Sequence, residues 1–433
     1  MTQPLLPFFT RMLDHSLRML GLFLLVSAGH AADWPAWRGP TGQGISKEKA
    51  LPLKWGGKDR LNIRWQTLLP GQRDKAKQDQ NQSSPIVSRG RVFLTASYWP
   101  AGIDQKAFPE HHVVCFRARD GEQLWDTRIE HGPWSRAEDL RGGYTVPTPA
   151  SDGERVYVFF GSSVLAALDF EGKMRWRKEI TPYKFDVAIG ASPVLYKDTL
   201  ILQCDETAKS SSLLAFDRKT GEVKWEKKRP KVNFTHSTPV LADVKGKTQL
   251  LVAASNALQG VDPDTGDVLW SCAAHGDTVS PVLGAGLVYL DSGRGGSGVA
   301  VDPTGSGEVT RTHRKWQLKT VPEGFSSPVI VGDYLYRLSN PETLRCWKMA
   351  DGAEVFTERL LGVATAPSPF TTPDGRIYFA SAGKSYVVKA GPKLEILAVN
   401  DLGDGSQASP AVADGCIFLK GRRNLYCIDE PRP

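Results

Sequence analysis

Residues 192–228 contain four short apolar segments in a fixed order, which are SPVLYKD, TLILQCD, SLLAFDRKTG and EVKWEKK. Each segment is rich in Val, Ile, Leu, Phe, Tyr or Trp and is bounded by Gly, Asp or Pro, which is typical of a β-strand between turns. The Pro stands at the first position of the first segment, where a missing N–H group disturbs strand pairing least. The stretch therefore predicts a sheet of four short antiparallel strands.

The same unit recurs along the chain, and a Ser-Pro or Thr-Pro step opens every copy. Successive prolines of these steps are 64, 44, 46, 42, 47, 41 and 41 residues apart, and a four-stranded propeller blade takes roughly 40 to 45 residues. The sequence therefore predicts an all-β fold that consists of a single eight-bladed β-propeller, with about 20 extra residues in its first unit. The eight steps are Ser84-Pro85, Thr148-Pro149, Ser192-Pro193, Thr238-Pro239, Ser280-Pro281, Ser327-Pro328, Ser368-Pro369 and Ser409-Pro410.

The two ends of the repeat region complement each other. The eighth unit has only three strand segments before the sequence stops at Pro433. Residues 61–68 (LNIRWQTL) precede the first Ser-Pro step and place a Trp where a fourth-strand Trp belongs. We therefore predict that residues 61–68 complete the eighth blade and close the ring, which removes an exposed sheet edge. The propeller then spans residues 61–430, and residues 32–60 form a lead-in.

An aromatic residue recurs at one fixed place in most units, four residues after the Gly that closes the turn between the third and fourth segments. A ring at the same place in successive units favours packing between blades, since each ring buries about 150 to 250 Å². Stacking on sugars or bases is the alternative, but a ligand would not need one ring in every blade. The predicted packing residues are Trp65, Trp125, Trp176, Trp225 and Trp270.

The N-terminus carries the one long apolar stretch of the sequence. Arg11 and Arg18 precede the apolar residues 19–28, and Gly29-His30-Ala31 supplies small residues before a cleavage site. This apolar stretch falls well short of the roughly 20 residues that span a bilayer. We therefore predict that residues 1–31 are a cleavable signal peptide, and that the mature chain is periplasmic or secreted and has no transmembrane segment.

The charge balance argues against nucleic acid as a partner. Lys and Arg number 54 and Asp and Glu number 47, which gives a formal net charge of +7, and no five or six like charges are clustered. A nucleic-acid-binding surface concentrates its basic residues in a patch or stripe. We therefore expect no nucleic-acid partner.

The signature L-x-A-x-D-x-x-T-G-x-x-x-W stands at residues 213–225 (LLAFDRKTGEVKW), and residues 258–270 (LQGVDPDTGDVLW) repeat it closely. It resembles the repeat of PQQ-like (quinoprotein-type) β-propeller proteins. The lead-in residues 34–40 (WPAWRGP) and the stretches 386–391 and 397–401 resemble secreted bacterial members of that family. The resemblance covers essentially all of residues 33–430 and implies the propeller fold.

Two branches of this family imply different functions. Quinoprotein alcohol and glucose dehydrogenases bind pyrroloquinoline quinone (PQQ) and Ca²⁺ over the propeller axis, whereas the BamB-type outer-membrane assembly propeller is a binding scaffold. Many alcohol-oxidising members carry two adjacent Cys beside the quinone, and no two of the six Cys here are adjacent. The chain also has mostly short loops where those enzymes carry inserts. It resembles the BamB type more, although it lacks the Cys after the signal that is lipidated there.

The first unit holds three unusual connections, at residues 66–82, 98–112 and 131–146. All three emerge on the same face of a propeller, and loops on a rigid scaffold often carry binding sites. The alternative is that these loops only cover the axial opening. The third connection contains residue types that are enriched in binding hot spots, and these candidates for partner binding are Trp134, Arg136, Arg141 and Tyr144.

Cysteine and histidine spacing provides no metal motif of the CxxC or HExxH type, so no metal ligands are predicted. We expect His111 and His112 to lie in the long second-to-third-strand loop of the first unit. Cys416 and Cys427 face each other across the last hairpin if its turn centres on residues 421–422, and an export compartment would permit a disulfide. Reduced, buried thiols are the favoured state, and this disulfide is the alternative.

These observations favour an exported, non-enzymatic binding or scaffold protein, monomeric, with a protein partner in the cell envelope. The sequence shows no paired carboxylates, nucleophile motif or cofactor signature, so no catalytic residue and no cofactor are predicted. Two alternatives stay open, a dehydrogenase-like enzyme that uses PQQ and Ca²⁺, and a glycan-binding module. The residues at the axial mouth discriminate between them, because clustered carboxylates with an Asn would favour a Ca²⁺–quinone site.

Overall fold

The computed structural model describes residues 33–104, 106–132, 143–180, 189–207 and 209–430, and every regular element within these ranges is a β-strand. The predicted signal peptide, residues 1–31, lies outside them. No helix in the described part of the chain has the length and apolar character needed to cross a membrane.

Eight antiparallel sheets form the blades of a propeller, so the predicted fold class is confirmed. Blade 1 comprises β3 (Ile86–Ser88), β4 (Arg91–Trp99), β5 (Glu110–Arg117) and β6 (Gln123–Ile129), and blade 2 comprises β7 (Ala150–Ser151), β8 (Arg155–Phe160), β9 (Val164–Asp169) and β10 (Met174–Glu179). Blade 3 comprises β11 (Val194–Tyr196), β12 (Thr199–Cys204), β13 (Ser212–Asp217) and β14 (Val223–Lys228), and blade 4 comprises β15 (Val240–Val244), β16 (Lys247–Ala254), β17 (Ala257–Val261) and β18 (Val268–Ala273).

Blades 5 to 8 follow the same order. Blade 5 comprises β19 (Val282–Gly284), β20 (Leu287–Asp291), β21 (Gly296–Val301) and β23 (Arg314–Val321), and blade 6 comprises β24 (Val329–Val331), β25 (Tyr334–Ser339), β26 (Thr343–Lys348) and β27 (Glu354–Arg359). Blade 7 comprises β28 (Phe370–Thr371), β29 (Arg376–Phe379), β30 (Lys384–Lys389) and β31 (Glu395–Asp401), and blade 8 comprises β32 (Ala411–Ala413), β33 (Cys416–Lys420), β34 (Asn424–Ile428) and β1 (Ile63–Leu68). Two short strands are additions, β2 (Lys77–Gln78) beside β4 and β22 (Gly307–Glu308) beside β18.

The Ser/Thr-Pro steps form a continuous hydrogen-bonded ring around the axis, which we call the hydroxyl ring. In each step the backbone N–H of the Ser or Thr donates to the side-chain oxygen of the corresponding Ser or Thr in the next blade, over 2.9 to 3.0 Å. The last of the eight bonds runs from Ser409 N to Ser84 Oγ and joins blade 8 to blade 1. The motif that marks the repeat in the sequence therefore also links neighbouring blades.

Strand β1 supplies the fourth strand of blade 8. It pairs antiparallel with β34, with Trp65 opposite Cys427 and Thr67 opposite Leu425. The Trp65 side chain reaches blade 1, where its Nε1–H donates to the carbonyl of Ala118 over 2.9 Å. The N-terminal strand is thus hydrogen-bonded to the last blade and in contact with the first.

The fourth-strand Trp residues repeat this contact around the ring. Trp125 Nε1 donates to the Phe170 carbonyl over 2.7 Å, and Trp176 Nε1 donates to the Arg218 carbonyl over 3.1 Å, each in the following blade. Each ring lies on the turn glycine of that blade, and a Cβ on Gly172 would stand 2.7 Å from the Trp125 ring. A side chain there would displace the Trp, and the positive φ of +82° also favours glycine.

Blades 4 and 5 modify the pattern. Trp225 lies on the turn glycine of blade 4, as the other Trp residues do in their neighbours. Trp270 is fully buried and donates instead to Gln249 Oε1 over 2.8 Å, because β22 pairs alongside it and covers it. Trp316, in the fourth strand of blade 5, donates to the Met349 carbonyl over 2.7 Å and has the usual contact.

The lead-in crosses the propeller axis. Residues 34–46 contact the first strands or Ser/Thr-Pro steps of five different blades, and a segment of that length can reach so many blades only near the centre of the ring. The contacts are Trp34 with Val87, Pro35 with Ser151, Arg38 with Pro328, Gln43 with Leu283, and Gly44 and Ser46 with Thr371.

Two expectations about local structure need correction. The hairpin of β4 and β5 extends further than expected, so His111 and His112 lie in β5 and not in a loop. His111 bridges the hydroxyls of Ser97 and Ser162 over 2.9 Å on each side, and burial lowers its pKa to about 3. These two hydrogen bonds hold the neutral ring in the interior.

Cys416 and Cys427 do not lie directly opposite each other. Cys427 pairs with Phe418, so the hairpin turn is displaced from the expected centre and the two cysteines are diagonal neighbours. Both thiols are free and buried, and Arg64 Nη1 is 3.8 Å from the Cys416 sulfur. In a hairpin, moving the centre of the turn by one residue changes the partner of every residue by two positions. Cys427 therefore pairs with Phe418 and not with Cys416.

Candidate functional site

A cavity of about 760 Å³ opens on the propeller axis, at the end where each blade connects to the next. We call this cavity the axial mouth. Every one of the eight blade-to-blade connections contributes at least one lining residue, and a representative set is Gln82, Val146, Gly190, Phe234, Asp277, Phe325, Ala366 and Gln407. Such a site exists only when the ring is closed, because its residues are spread over more than 300 positions.

The lower part of the axial mouth is built from hydroxyls and one aromatic ring. Seven of the eight members of the hydroxyl ring line the cavity, and Trp37 of the lead-in lines it as well. The exception is Ser327, the blade 6 member. There the Arg38 side chain lies against the step, with its Nη2 donating to the Pro328 carbonyl over 2.7 Å. The lead-in thus forms the floor of the mouth.

The rim carries an imidazole and an ion pair on the side of blades 4 and 5. Asp277 accepts from Arg294 Nε over 3.1 Å, and its second oxygen, Oδ1, is buried with no partner among the described residues. Burial of the His236 ring, together with the charge of Arg294, lowers the pKa of His236 to about 3. A Cβ on Gly190 would stand 2.3 Å from His236 Nδ1, so this ring needs a glycine beside it.

The rim presents polar groups that their surroundings hold in place. An effective general base has a pKa near the working pH, whereas His236 is neutral throughout the physiological range. The Asp277 carboxylate is already paired with Arg294. The rim therefore offers fixed donors and acceptors to a ligand, and no His–carboxylate hydrogen bond is seen between the described residues of the mouth.

A second cavity of about 680 Å³ runs from the axial mouth outward over blades 7, 8 and 1, and we call it the radial groove. The two cavities share Gln80, Gln82 and Gln407. Gln72, Gln78 and Asn81 add further carboxamides, so six residues of the connection at residues 66–82 line this groove. Mouth and groove are continuous through these shared residues, and carboxamides line both.

The outer wall of the radial groove is cationic. Lys384, Arg422 and Arg423 line it, and Asp79 is its one acidic lining residue among those described. Asp404 organises this wall, because its carboxylate accepts from the backbone N–H groups of Arg422 and Arg423 over 3.1 Å. The two arginine side chains are left exposed to solvent.

A buried lysine lies close to this groove. Lys420 is 1% exposed, and its ammonium donates to the Ser83 carbonyl, the Ser83 hydroxyl and the Thr95 carbonyl over 2.9 to 3.3 Å. Burial lowers the pKa of Lys420 to about 7, and the nearby charge of Asp79 opposes this shift. Lys420 joins blade 8 to blade 1 in the interior.

The predicted partner-binding residues fall into two groups. Trp134, Arg136 and Arg141 lie outside the described residues. Tyr144 is 1% exposed, its backbone N–H donates to Asp79 Oδ2 over 2.6 Å, and its ring packs edge-on against Phe108. The Tyr144 ring is therefore buried beneath the face on which the sequence predicts partner binding.

Several residues of the mouth were not identified from the sequence, above all Trp37, His236, Asp277 and Arg294. The motif at residues 34–40 was noted only as a family resemblance, although its Trp and Arg lie on the axis. His236 and Asp277 each stand two or three residues before a Ser/Thr-Pro step. That position in the repeat is the signal that could have placed them at the mouth.

Comparison with known proteins is consistent with this fold. BamB from Moraxella catarrhalis superposes with a TM-score of 0.58 over 85% of this chain and 99% of that chain, at 12% identity. Quinohemoprotein alcohol dehydrogenase from Comamonas testosteroni superposes with a TM-score of 0.51 over 93% of this chain and 81% of that chain, at 13% identity. These likenesses concern the fold alone.

The sequence comparisons point in two directions. A 1-butanol dehydrogenase (quinone) from Thauera butanivorans is 26% identical in an alignment 220 residues long that covers 46% of this chain and 32% of that protein. The match thus spans about a third of the length of that relative. The family model described as outer membrane protein assembly factor BamB matches residues 109–358, which is more than half of the chain. The chain therefore belongs to the BamB-type family of PQQ-like β-propellers.

Proposed function

We propose that the protein is an exported, non-enzymatic binding propeller whose axial mouth and radial groove receive an extended segment of a protein partner in the cell envelope. The observation that carries this proposal is the continuous, carboxamide-lined surface of mouth and groove on one face. A carboxamide offers both a donor and an acceptor, as a peptide backbone does. An extended chain presents such groups at regular intervals, so the groove is suited to hold one.

Apolar side chains beside the groove support the same proposal. Phe325 lines the mouth and is 39% exposed, and Leu361, next to the groove-lining Gly362, is 57% exposed. Apolar and aromatic residues surrounded by polar groups are typical of protein interfaces. The match to the family described as an outer membrane protein assembly factor agrees with a protein partner in the envelope.

A quinone-dependent enzyme of this family would need different residues at the axial mouth. Ca²⁺ takes six to eight oxygen ligands and prefers carboxylates, yet Asp277 is the one acidic residue that lines the described part of the mouth, and Arg294 already neutralises it. No group of three or more His, Cys, Asp or Glu in the described part of the chain is arranged to hold a metal. The described residues thus do not fit a Ca²⁺–quinone site.

Site-specific photo-crosslinking in the native envelope tests the proposal. A photoreactive amino acid replaces Leu361 beside the groove or, as the control, Val223 on the outer strand of blade 3. The two side chains are matched in exposure, at 57% and 56%. We expect a discrete protein adduct from position 361 and none from position 223. Equal labelling at both positions, or no adduct at position 361, would contradict the proposal.

A further inference from the structure

The outer wall of the radial groove carries three cations that no described carboxylate neutralises. Lys384, Arg422 and Arg423 line the groove, and none of them forms an ion pair with an acidic residue in the part of the chain that the structure describes. The cations of the outer strands differ, since Lys224 for example pairs with Asp198 over 2.8 Å. Like charges gathered along a cavity attract ligands of the opposite sign.

The acidic residues of the groove are engaged by other groups of the protein. Besides the two arginine N–H groups, the Asp404 carboxylate accepts from the Asn424 N–H over 3.0 Å, and from Asn424 Nδ2 and the Tyr426 hydroxyl over 3.1 Å each. Asp79 Oδ2 accepts from the Tyr144 N–H over 2.6 Å. Neither carboxylate is therefore paired with a cationic side chain of the wall.

The turn that carries the two arginines is held by its backbone, and the arginine side chains are left for a ligand. The Arg422 carbonyl accepts from Gln72 Nε2 over 3.0 Å, and the Arg423 carbonyl accepts from the Leu69 N–H over 2.9 Å. Both N–H groups already donate to Asp404. Neither guanidinium donates to an acceptor among the described residues, and both side chains are exposed. A fixed backbone reduces the ordering cost of binding.

On the basis of the proposed function, we propose that the radial groove selects an acidic segment of the partner protein, whose Asp or Glu side chains lie against Lys384, Arg422 and Arg423. The N–H groups of arginine form a planar fork that matches the two oxygens of a carboxylate. Neutral carboxamides line the junction of groove and mouth, where the two cavities share their residues. The acidic residues of the segment therefore lie at its outward end.

The shape of the groove favours a protein segment over a lipid surface. The three cations lie along one wall of a cavity of about 680 Å³, whereas the anionic groups of a bilayer lie in one broad plane. Four lining residues are glycines, which let the backbone of a ligand approach closely. They are Gly362, Gly383, Gly405 and Gly421. An extended chain therefore finds backbone and carboxamide groups along the groove and cations at its outer end.

Photo-crosslinking from position 361 tests the charge requirement in the native envelope. The photoreactive residue at Leu361 is combined with Arg422→Glu and Arg423→Glu, and we expect the yield of the protein adduct to fall severalfold. The control combines it with Arg311→Glu and Lys319→Glu on the side of blade 5. Both control residues are exposed and form no ion pair with a described residue. This control should keep the adduct yield of the unaltered background.

The outcomes separate this inference from the proposed function. An adduct whose yield is the same after charge reversal overturns the acidic segment and leaves the binding propeller intact. No adduct in the unaltered background overturns both. An equal loss in the control contradicts the acidic segment, because the effect would not depend on the cations of the groove. Arg422→Gln with Arg423→Gln covers the case in which charge reversal disturbs folding, and it should lower the yield while the melting temperature stays that of wild type.

A binding measurement on purified protein distinguishes the possible sources of negative charge. Fluorescence anisotropy compares two short, capped, labelled peptides that differ only in two Glu or two Gln residues, with polygalacturonate and phosphatidylglycerol vesicles as competitors. We expect the Glu peptide to bind at least about tenfold more tightly, the effect of a charged hydrogen bond, and added NaCl to narrow this difference. Equal affinities of the two peptides contradict the proposal. Tighter binding of the polysaccharide or the vesicles than of the Glu peptide, abolished by Arg422→Glu with Arg423→Glu, overturns the protein segment.

Discussion

Replacing Trp65 by Ala tests whether the N-terminal strand holds the ring together. The Trp65 side chain is 9% exposed, its Nε1 donates to the Ala118 carbonyl over 2.9 Å, and its ring lies on Gly121 of blade 1. A Trp buries about 150 to 250 Å², which at about 25 cal/mol per Å² corresponds to about 4 to 6 kcal/mol. Alanine retains part of that area, so we expect a loss of about 3 to 5 kcal/mol.

Urea unfolding followed by far-ultraviolet circular dichroism measures this loss without relying on Trp fluorescence. Trp176→Ala serves as the comparison, because Trp176 is 8% exposed and makes the corresponding bond to the Arg218 carbonyl. Val223→Ala, at a 56% exposed position, should change the free energy of unfolding by no more than about 0.5 kcal/mol. Trp65→Phe keeps most of the ring contact and should cost about 1 to 2 kcal/mol through the lost N–H donor.

The result that would refute the reasoning is a Trp65→Ala variant that unfolds at the urea concentration of wild type while Trp176→Ala is clearly destabilised. That outcome would mean that β1 is dispensable and that three strands suffice for blade 8. Similar losses in both variants would show that the contact between blades 8 and 1 is as strong as those within the repeats.

Three further predictions concern other parts of the molecule. Burial lowers the folded-state pKa of Lys420 to about 7, so its contribution to stability is complete above its unfolded pKa and is lost as the pH falls towards 7. The free energy of unfolding of wild type relative to Lys420→Met should therefore increase between pH 7 and 10. Urea titrations that give a constant difference between the two proteins would exclude the shift. Gly172→Ala should destabilise the protein by about 1 to 3 kcal/mol more than Gly90→Ala. Both glycines have a positive φ, but a new Cβ meets the Trp125 ring only at position 172. Equal melting temperatures of the two variants would contradict this contact. Addition of PQQ and Ca²⁺ to the purified protein should give no dye-linked oxidation of alcohols or aldose sugars, and turnover with stoichiometric quinone binding would reverse the choice between scaffold and enzyme.

The repeat could be predicted from sequence because one blade is a local structure. A unit such as residues 192–228 holds its strands, turns and first-position proline within about 40 residues, and neighbouring strands in a hairpin pair locally. The Gly-to-Trp spacing also marks the fourth strand in most units, and the missing fourth strand of the eighth unit pointed to residues 61–68 and Trp65. Where a local insertion changed the spacing, at β22, the environment of Trp270 differed from the pattern.

The candidate site could be predicted only in part. The connection at residues 66–82 was recognised as unusual, and its carboxamides do line the radial groove. Tyr144 was selected by residue type, but its ring is buried. Residue type alone cannot separate a surface ring from one that packs against Phe108, because burial depends on which loops come to lie over it.

The sequence by itself determined the number of blades and the class of fold, since both follow from short-range periodicity, and the fourth segment missing from the eighth unit indicated the strand that completes the last sheet. The tertiary structure alone decided what lies on the axis. Arg38 and the Pro328 carbonyl that it contacts are 290 positions apart, and the hydroxyl ring joins eight steps that no local pattern brings together. Closing the ring makes these distant residues neighbours, so the mouth and its floor are properties of the closed propeller and of no single blade.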